Sequence, residues 1–77
     1  MKFDLEVLKK KLEEGYEYNG IATQKKDNNI HGQIVKRVIM LYKDSAPFPI
    51  ELDENRIDDV EKLLKSFVID DKIEKLD

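Results

Sequence analysis

Three glycines and two prolines divide this chain and confine its helices to the two ends. Gly15, Gly20 and Gly32 interrupt the first half, and Pro47 and Pro49 follow in the second. Glycine disfavours a helix interior because it loses the most backbone freedom there, and proline lacks the N–H group that helices and sheet ladders require. The middle of the chain is therefore predicted to form strands, with a helix before it and a helix after it.

The first helix is predicted over residues 5–14. Asp4 is a suitable N-cap, and Phe3 stands at the preceding position, where it can pack on Leu8 as a hydrophobic staple. The leucines that follow lie on one arc of a helix, and Gly15 supplies the left-handed residue that ends it.

The segment over residues 33–43 is compatible with either a strand or a helix. Its apolar residues fit a helical stripe, with Gln33, Lys36, Arg37 and Lys43 on the opposite side. Many of them are β-branched, however, and the preceding KKDNN stretch is typical of a turn. We therefore predict that residues 33–43 form the central strand, paired with a strand that precedes the turn.

The stretch IELDENRIDDVEKLLKSF, residues 50–67, has the clearest pattern in the sequence. We predict a short edge strand at residues 50–52, then Asp53 as the cap of a second helix. A break is expected near Asp70 and Asp71, with a possible short helix after it, because the apolar residues beyond that point lie on the opposite side of the helical wheel. The apolar stripe of the second helix comprises Ile57, Val60, Leu63, Leu64, Phe67 and Val68.

These elements predict an α+β fold of order α-β-β-β-α, in a single domain over residues 1–77. A three-stranded antiparallel sheet with the helices on one face is the natural arrangement. Truncation of Phe67 to alanine is expected to cost about 3 to 5 kcal/mol if its ring fills the core. The predicted core residues are Leu8, Leu12, Val38, Val60, Leu64 and Phe67.

The composition indicates the cellular compartment of the protein. There is no cysteine among the 77 residues, so disulfides and thiolate metal sites are excluded, as is usual in a reducing cytoplasm. Charged residues interrupt the apolar ones at the start of the chain, so we expect neither a signal peptide nor a membrane-spanning run. We expect a cytoplasmic protein without membrane contact.

The residues needed for catalysis are scarce. The single histidine, His31, lies beside a predicted turn, and no cysteine accompanies it. Asp70 and Asp71 are adjacent in sequence, so a helix would place them about 100° apart and not at a shared site. We therefore expect no enzyme activity, no metal site and no cofactor.

Charge is unevenly distributed along the chain, whose net charge is −3. Residues 1–19 carry −1, residues 20–43 carry +4 and residues 44–77 carry −6. The helix dipole explains acidic residues in a first turn, but the carboxylates here extend further. We predict that they form a docking surface for a basic partner, since clustered carboxylates can stand in for DNA phosphates. The predicted contact residues are Glu51, Asp53, Glu54, Asp58, Asp59 and Glu61.

Two alternatives remain open from the residues alone. The basic middle could bind nucleic acid through a sheet that presents lysines for phosphates and tyrosines for stacking, with Lys25, Lys36, Lys43, Tyr16, Tyr18 and Tyr42 as candidates. Double-stranded-RNA-binding domains share this order of elements, but their second helix opens with lysines and this one opens with acids. The chain could also form a homo-oligomer, because residues 38–42 are very apolar for so small a domain.

The stretches NNIHGQIVKRVIML, residues 28–41, and IELDENRIDDVEKLLKSF, residues 50–67, resemble a central strand and a strand-to-helix passage in the small acidic phage-encoded anti-CRISPR proteins, of the Listeria prophage Cas9-inhibitor type. The resemblance covers about half of the chain. It implies a non-enzymatic inhibitor, phage or mobile-element encoded, that presents carboxylates where a CRISPR nuclease binds DNA phosphates. Asp53, Glu54, Asp58 and Asp59 would then be the positions in that role.

Overall fold

The computed structural model describes residues 1–28 and 32–76, and it describes the side chains of residues 1–24 and 36–76. The predicted α+β class and the order α-β-β-β-α are confirmed, and residues 33–43 belong to a strand. The elements are helix α1 (Leu5–Glu13), strands β1 (Glu17–Asn28), β2 (Gly32–Lys43) and β3 (Ala46–Glu51), and helix α2 (Ile57–Ser66).

Helix α1 begins as its sequence predicts. The carboxylate of Asp4 accepts the backbone N–H groups of Glu6 at 3.0 Å and Val7 at 3.2 Å. Gly15 has a φ angle of +99° and lets the chain turn into β1. In the described part of the chain, no helix combines the length and apolar character needed to cross a membrane.

The three strands form one antiparallel sheet in the order β1-β2-β3. A two-residue turn joins β2 to β3, and both of its residues, Asp44 and Ser45, have positive φ angles. This conformation suits a tight hairpin because its twist matches that of the strands. The register of β1 on β2 shifts between Tyr18 and Ile21, where Gly20 has a φ angle of +89°.

Strand β3 is longer than predicted, since it includes both prolines and ends at Glu51 instead of occupying residues 50–52. The N–H of Glu51 points away from β2 and donates to the carbonyl of Met1 at 2.7 Å. Pro47 and Pro49 lie four and two residues earlier in the alternating strand, so their nitrogens also face outward. The prolines are tolerated because the ladder with β2 does not need these donors.

Both helices pack on the same face of the sheet and enclose one core. Ile39 and Leu41 supply the contribution of β2 to it, and the prediction of Val38 for this role was wrong. Val38 is buried, but by strand alternation it lies on the opposite face, which no helix covers. Phe67 was also predicted to be fully buried, but it is partly exposed and packs at the rim of the core. The buried cluster comprises Leu8, Leu12, Ile39, Leu41, Ile50, Leu52, Ile57, Val60, Leu64 and Ile73.

Two predictions for the region after α2 were wrong. Helix α2 ends at Ser66, earlier than the predicted break at Asp70 and Asp71, because Val68 adopts a φ angle of +62° and redirects the chain. The possible third helix does not form, and residues 69–76 have no regular secondary structure. This segment instead runs back along α2 and places Ile73 in the core.

Candidate functional site

The six carboxylates predicted to bind a partner lie along one continuous path. Glu51 ends β3, Asp53 and Glu54 lie in the connection to α2, and the remaining three belong to α2 itself. All six make a polar contact within the chain. Some of these contacts are buried and have a structural role. Others are exposed to solvent and leave the carboxylate available to a partner.

Asp53 does not cap α2, contrary to the prediction. Its carboxylate accepts the N–H of Asn55 at 2.9 Å, and its carbonyl accepts the N–H of Arg56, also at 2.9 Å. This tight turn delays the helix to Ile57 and leaves Arg56 at the N-cap position without a side-chain cap. Short aspartate turns of this kind compete with helix caps because both satisfy the same backbone donors. Asp53 therefore shapes the entry to α2.

Glu54 is part of a structural ion pair. Its two carboxylate oxygens accept from Nε and Nη2 of Arg37 at 2.9 and 2.5 Å. The Arg37 side chain is 8% exposed, and the hydrogen bond that it donates to Glu54 raises the pKa of its guanidinium. A buried guanidinium needs a negatively charged partner. The pair therefore holds the connection between β3 and α2 against β2, and Glu54 has a structural role.

Glu51 is paired on the uncovered face of the sheet. The ammonium of Lys36 lies 2.6 Å from its carboxylate, and this hydrogen bond lowers the pKa of Glu51. The two residues belong to neighbouring strands, where opposite charges stabilise the pairing. The negative charge of Glu51 is therefore balanced locally.

Glu61 and Asp58 hold the segment of residues 69–76 against α2. The carboxylate of Glu61 accepts the backbone N–H of Ile73 at 2.7 Å, and Asp58 pairs with Lys75 at 3.1 Å. Tyr18 lies close to this segment, and its pKa is raised by burial and then by the charges of Asp71 and Glu61. Because Ile73 is buried, the contact of Glu61 is structural as well.

Asp58 and Asp59 are the most available members of the set. The side chain of Asp58 is 80% exposed and its partner Lys75 is 63% exposed. Asp59 accepts from Nε of Arg56 at 2.5 Å in a pair whose two side chains are both exposed. Exposed ion pairs contribute only about 0 to 1 kcal/mol each, so these carboxylates can exchange partners at little cost. We call Asp58 and Asp59 the acidic patch. The prediction that these carboxylates extend past the first turn was wrong, because α2 begins only at Ile57 and both lie in its first turn, where the helix dipole favours negative charge.

The basic side chains of the middle strands that the structure describes do not form the surface that nucleic-acid binding would require. Arg37 is buried and pairs with Glu54, and Lys36 pairs with Glu51. Lys43 donates to the carbonyl of Glu14 at 2.7 Å, where it satisfies the end of α1. The side chain of Lys25 and the whole of His31 lie outside the described residues.

The three tyrosines also face different surroundings. Tyr18 pairs with Leu41 in the register and lies on the helix-covered face, whereas Tyr42 lies on the uncovered face. Tyr16 contacts Phe48 edge-on, with ring centroids 5.8 Å apart, and Lys11 lies over both rings at 5.3 and 4.7 Å. They do not form one stacking platform, which removes the main support for the nucleic-acid alternative.

Sequence reasoning did not assign the acidic residues their individual cationic partners. Arg56 stands three residues before Asp59, a spacing that a helix brings together and that could have been used. Lys75 is distant in sequence and gave no signal. Among the described residues, no group of three or more histidine, cysteine, aspartate or glutamate side chains is placed to bind a metal ion.

No protein-family model, no curated protein and no solved structure matches this chain. Its function is therefore inferred from the chemistry of its own surfaces.

Proposed function

We propose that this protein is a small non-enzymatic inhibitor that binds a basic protein partner through the acidic patch. One observation carries the proposal: Asp58 and Asp59 project from the first turn of α2 and contact only exposed cations within the described chain. The proposed partner is a host protein with a positive nucleic-acid cleft, such as a CRISPR nuclease. The proposed origin is a phage or mobile element, with action in the host cytoplasm.

The patch can attract a cationic cleft because its own counter-ions are weakly held. Lysines or arginines of the partner would replace Lys75 and Arg56, whose pairs with the patch are exposed to solvent and screened by salt. Glu54 and Glu61 support the patch from behind by fixing the connection and the segment of residues 69–76.

The resemblance to anti-CRISPR proteins supports the same mode of action. It assigns Asp53, Glu54, Asp58 and Asp59 to phosphate mimicry, and two of these four form the patch. The other two have structural contacts that limit their role to positioning. The proposed contact surface is therefore narrower than the six carboxylates taken from the sequence.

The test compares two variants with the same change in charge. Asp58→Asn with Asp59→Asn removes the patch, and Asp70→Asn with Asp71→Asn removes two exposed carboxylates outside it. Each protein is titrated against a panel of purified CRISPR nucleases, with binding of the nuclease to its DNA as the readout. The patch variant should lose at least about tenfold in inhibition, since two charge contacts of about 0.7 kcal/mol each amount to that factor. The control variant should inhibit like the parent.

Two further measurements decide between the partner classes. Inhibition should weaken as salt increases, and the parent protein alone should not bind a DNA or RNA oligonucleotide at physiological salt. Equal inhibition by the patch variant and the parent would overturn the assignment of the patch. Direct binding of the parent to an oligonucleotide, lost on Lys36→Glu and retained on replacement of the patch, would restore the nucleic-acid alternative.

A further inference from the structure

The two outer edges of the sheet are protected to different degrees. On β3, the backbone nitrogens that face outward are those of Pro47, Pro49 and Glu51. Two of them have no hydrogen, and the third is occupied by the carbonyl of Met1 at 2.7 Å. This edge offers no free donor along those positions to another strand, which is how natural sheets avoid pairing at an edge.

The outer edge of β1 has none of these features. It is a strand of 12 residues, Glu17–Asn28, and it contains no proline. Within the described residues, no backbone hydrogen bond joins its outer edge to another segment. Residues 18–24 carry no charge, so the usual deterrent of charged side chains is missing from that stretch. Downstream of the bulge at Gly20, the strand pairs regularly with β2 from Ile21 to Asn28.

We infer that this edge pairs with the same edge of a second copy of the chain, in antiparallel orientation about a two-fold axis. The distribution of charge along β1 selects this partner. The strand starts with Glu17 and carries Lys25, Lys26 and Asp27 near its end, which leaves that end with one net positive charge. Antiparallel pairing brings the acidic start of each copy toward the basic end of the other, whereas parallel pairing would set like charges side by side.

The same geometry explains why assembly stops at two chains. The contact is isologous, so it uses the β1 edge of both copies and leaves none free. The resulting six-stranded sheet ends on both sides at β3, whose edge is blocked by its prolines and by Met1. A dimer is therefore a closed assembly, and growth into a fibre is prevented. The inference does not depend on the proposed function, because the acidic patch lies on α2.

The test reverses the charge at one end of β1 or at the other. Glu17→Lys makes both ends of β1 basic, and Lys25→Glu with Lys26→Glu makes both ends acidic. Each variant alone should be monomeric in sedimentation velocity at concentrations where the parent dimerises, and a mixture of the two should form a one-to-one dimer. Glu13→Lys makes the same charge change as the first variant on the exposed side of α1, and it should dimerise like the parent.

Hydrogen exchange supplies an independent readout in the parent protein. Alternate amides of β1 should gain protection as concentration rises, at least about tenfold between the monomer and the dimer, while those of β3 stay unchanged. A parent that remains monomeric to millimolar concentration, with no change in exchange, overturns the inference. A dimer whose β1 amides stay unprotected, or whose variants do not recover it on mixing, overturns it equally.

Discussion

At the residue scale, Val68 is the most strained position that the structure describes. It has a φ angle of +62° and its side chain is 94% exposed. The N–H of Ile69 returns to the carbonyl of Leu64 at 3.0 Å, and the N–H of Val68 to that of Lys65 at 2.9 Å. This closing turn of α2 calls for glycine, since a β-branched side chain crowds the backbone in the left-handed region.

Replacing Val68 by glycine should stabilise the protein by about 1 kcal/mol, because the strain is relieved and little apolar contact is lost. Urea unfolding followed by circular dichroism would measure the change. Val68→Ala is the matched control, and it should give a smaller gain because alanine also disfavours a positive φ angle. A glycine variant no more stable than the parent would show that Val68 is not strained.

Glu51 provides a prediction about pH at the same scale. Its pKa is lowered below the ordinary value of 4.5, chiefly by the hydrogen bond from Lys36. The ionised form is therefore favoured by folding, and its stabilising effect is present above pH 4.5 and is lost as the pH falls through the folded pKa. In Lys36→Gln, an NMR titration of the Glu51 carboxyl carbon should show the pKa rising toward 4.5. The same titration in Lys62→Gln should match the parent, and an unchanged pKa in Lys36→Gln would contradict the assigned cause.

At the scale of elements, the segment of residues 69–76 replaces the third helix that the pattern suggested. It has no regular structure, yet Ile73 is only 5% exposed and its N–H is bound by Glu61. The segment therefore acts as a packed cover for the helix side of the sheet next to β1.

Ile73→Ala should destabilise the protein by about 2 to 4 kcal/mol, the range for truncating a buried isoleucine. Leu76→Ala tests the same segment at a side chain that is 55% exposed, and it should change stability by less than about 0.5 kcal/mol. Chemical denaturation of both variants would measure the difference. Equal effects would mean that residue 73 does not belong to the core.

At the scale of the whole molecule, a single buried cluster joins every element. It includes residues of α1, β2, β3, α2 and the segment of residues 69–76, and Tyr18 and Ile21 of β1 pack against it. Among the residues that the structure describes, no part has a separate core that could remain folded alone. We therefore expect one cooperative unfolding transition.

Thermal unfolding should give the same midpoint by far-ultraviolet circular dichroism, which reports helices and strands, and by tyrosine fluorescence, which reports packing around the sheet. Leu8→Ala in α1 should lower both midpoints equally, since a cavity in the shared core weakens all elements. Two separated midpoints in either protein would show that the helices and the sheet unfold independently.

The sequence by itself determined the features that depend on neighbouring residues. Asp4 caps α1 because its partners are two and three residues away, and β-branching makes residues 33–43 a strand. Tertiary structure decided what depends on distant partners: the face on which Val38 lies, the late start of α2, and the conformation of the segment of residues 69–76.

The same distinction applies to the acidic residues. They could be found from the pattern of charge, but Arg37, Lys36 and Lys75 decide which of them remain available. These cations lie 15 to 17 residues away from their partners, and only the packing of the sheet, α2 and the segment of residues 69–76 brings them within 3.1 Å of the carboxylates.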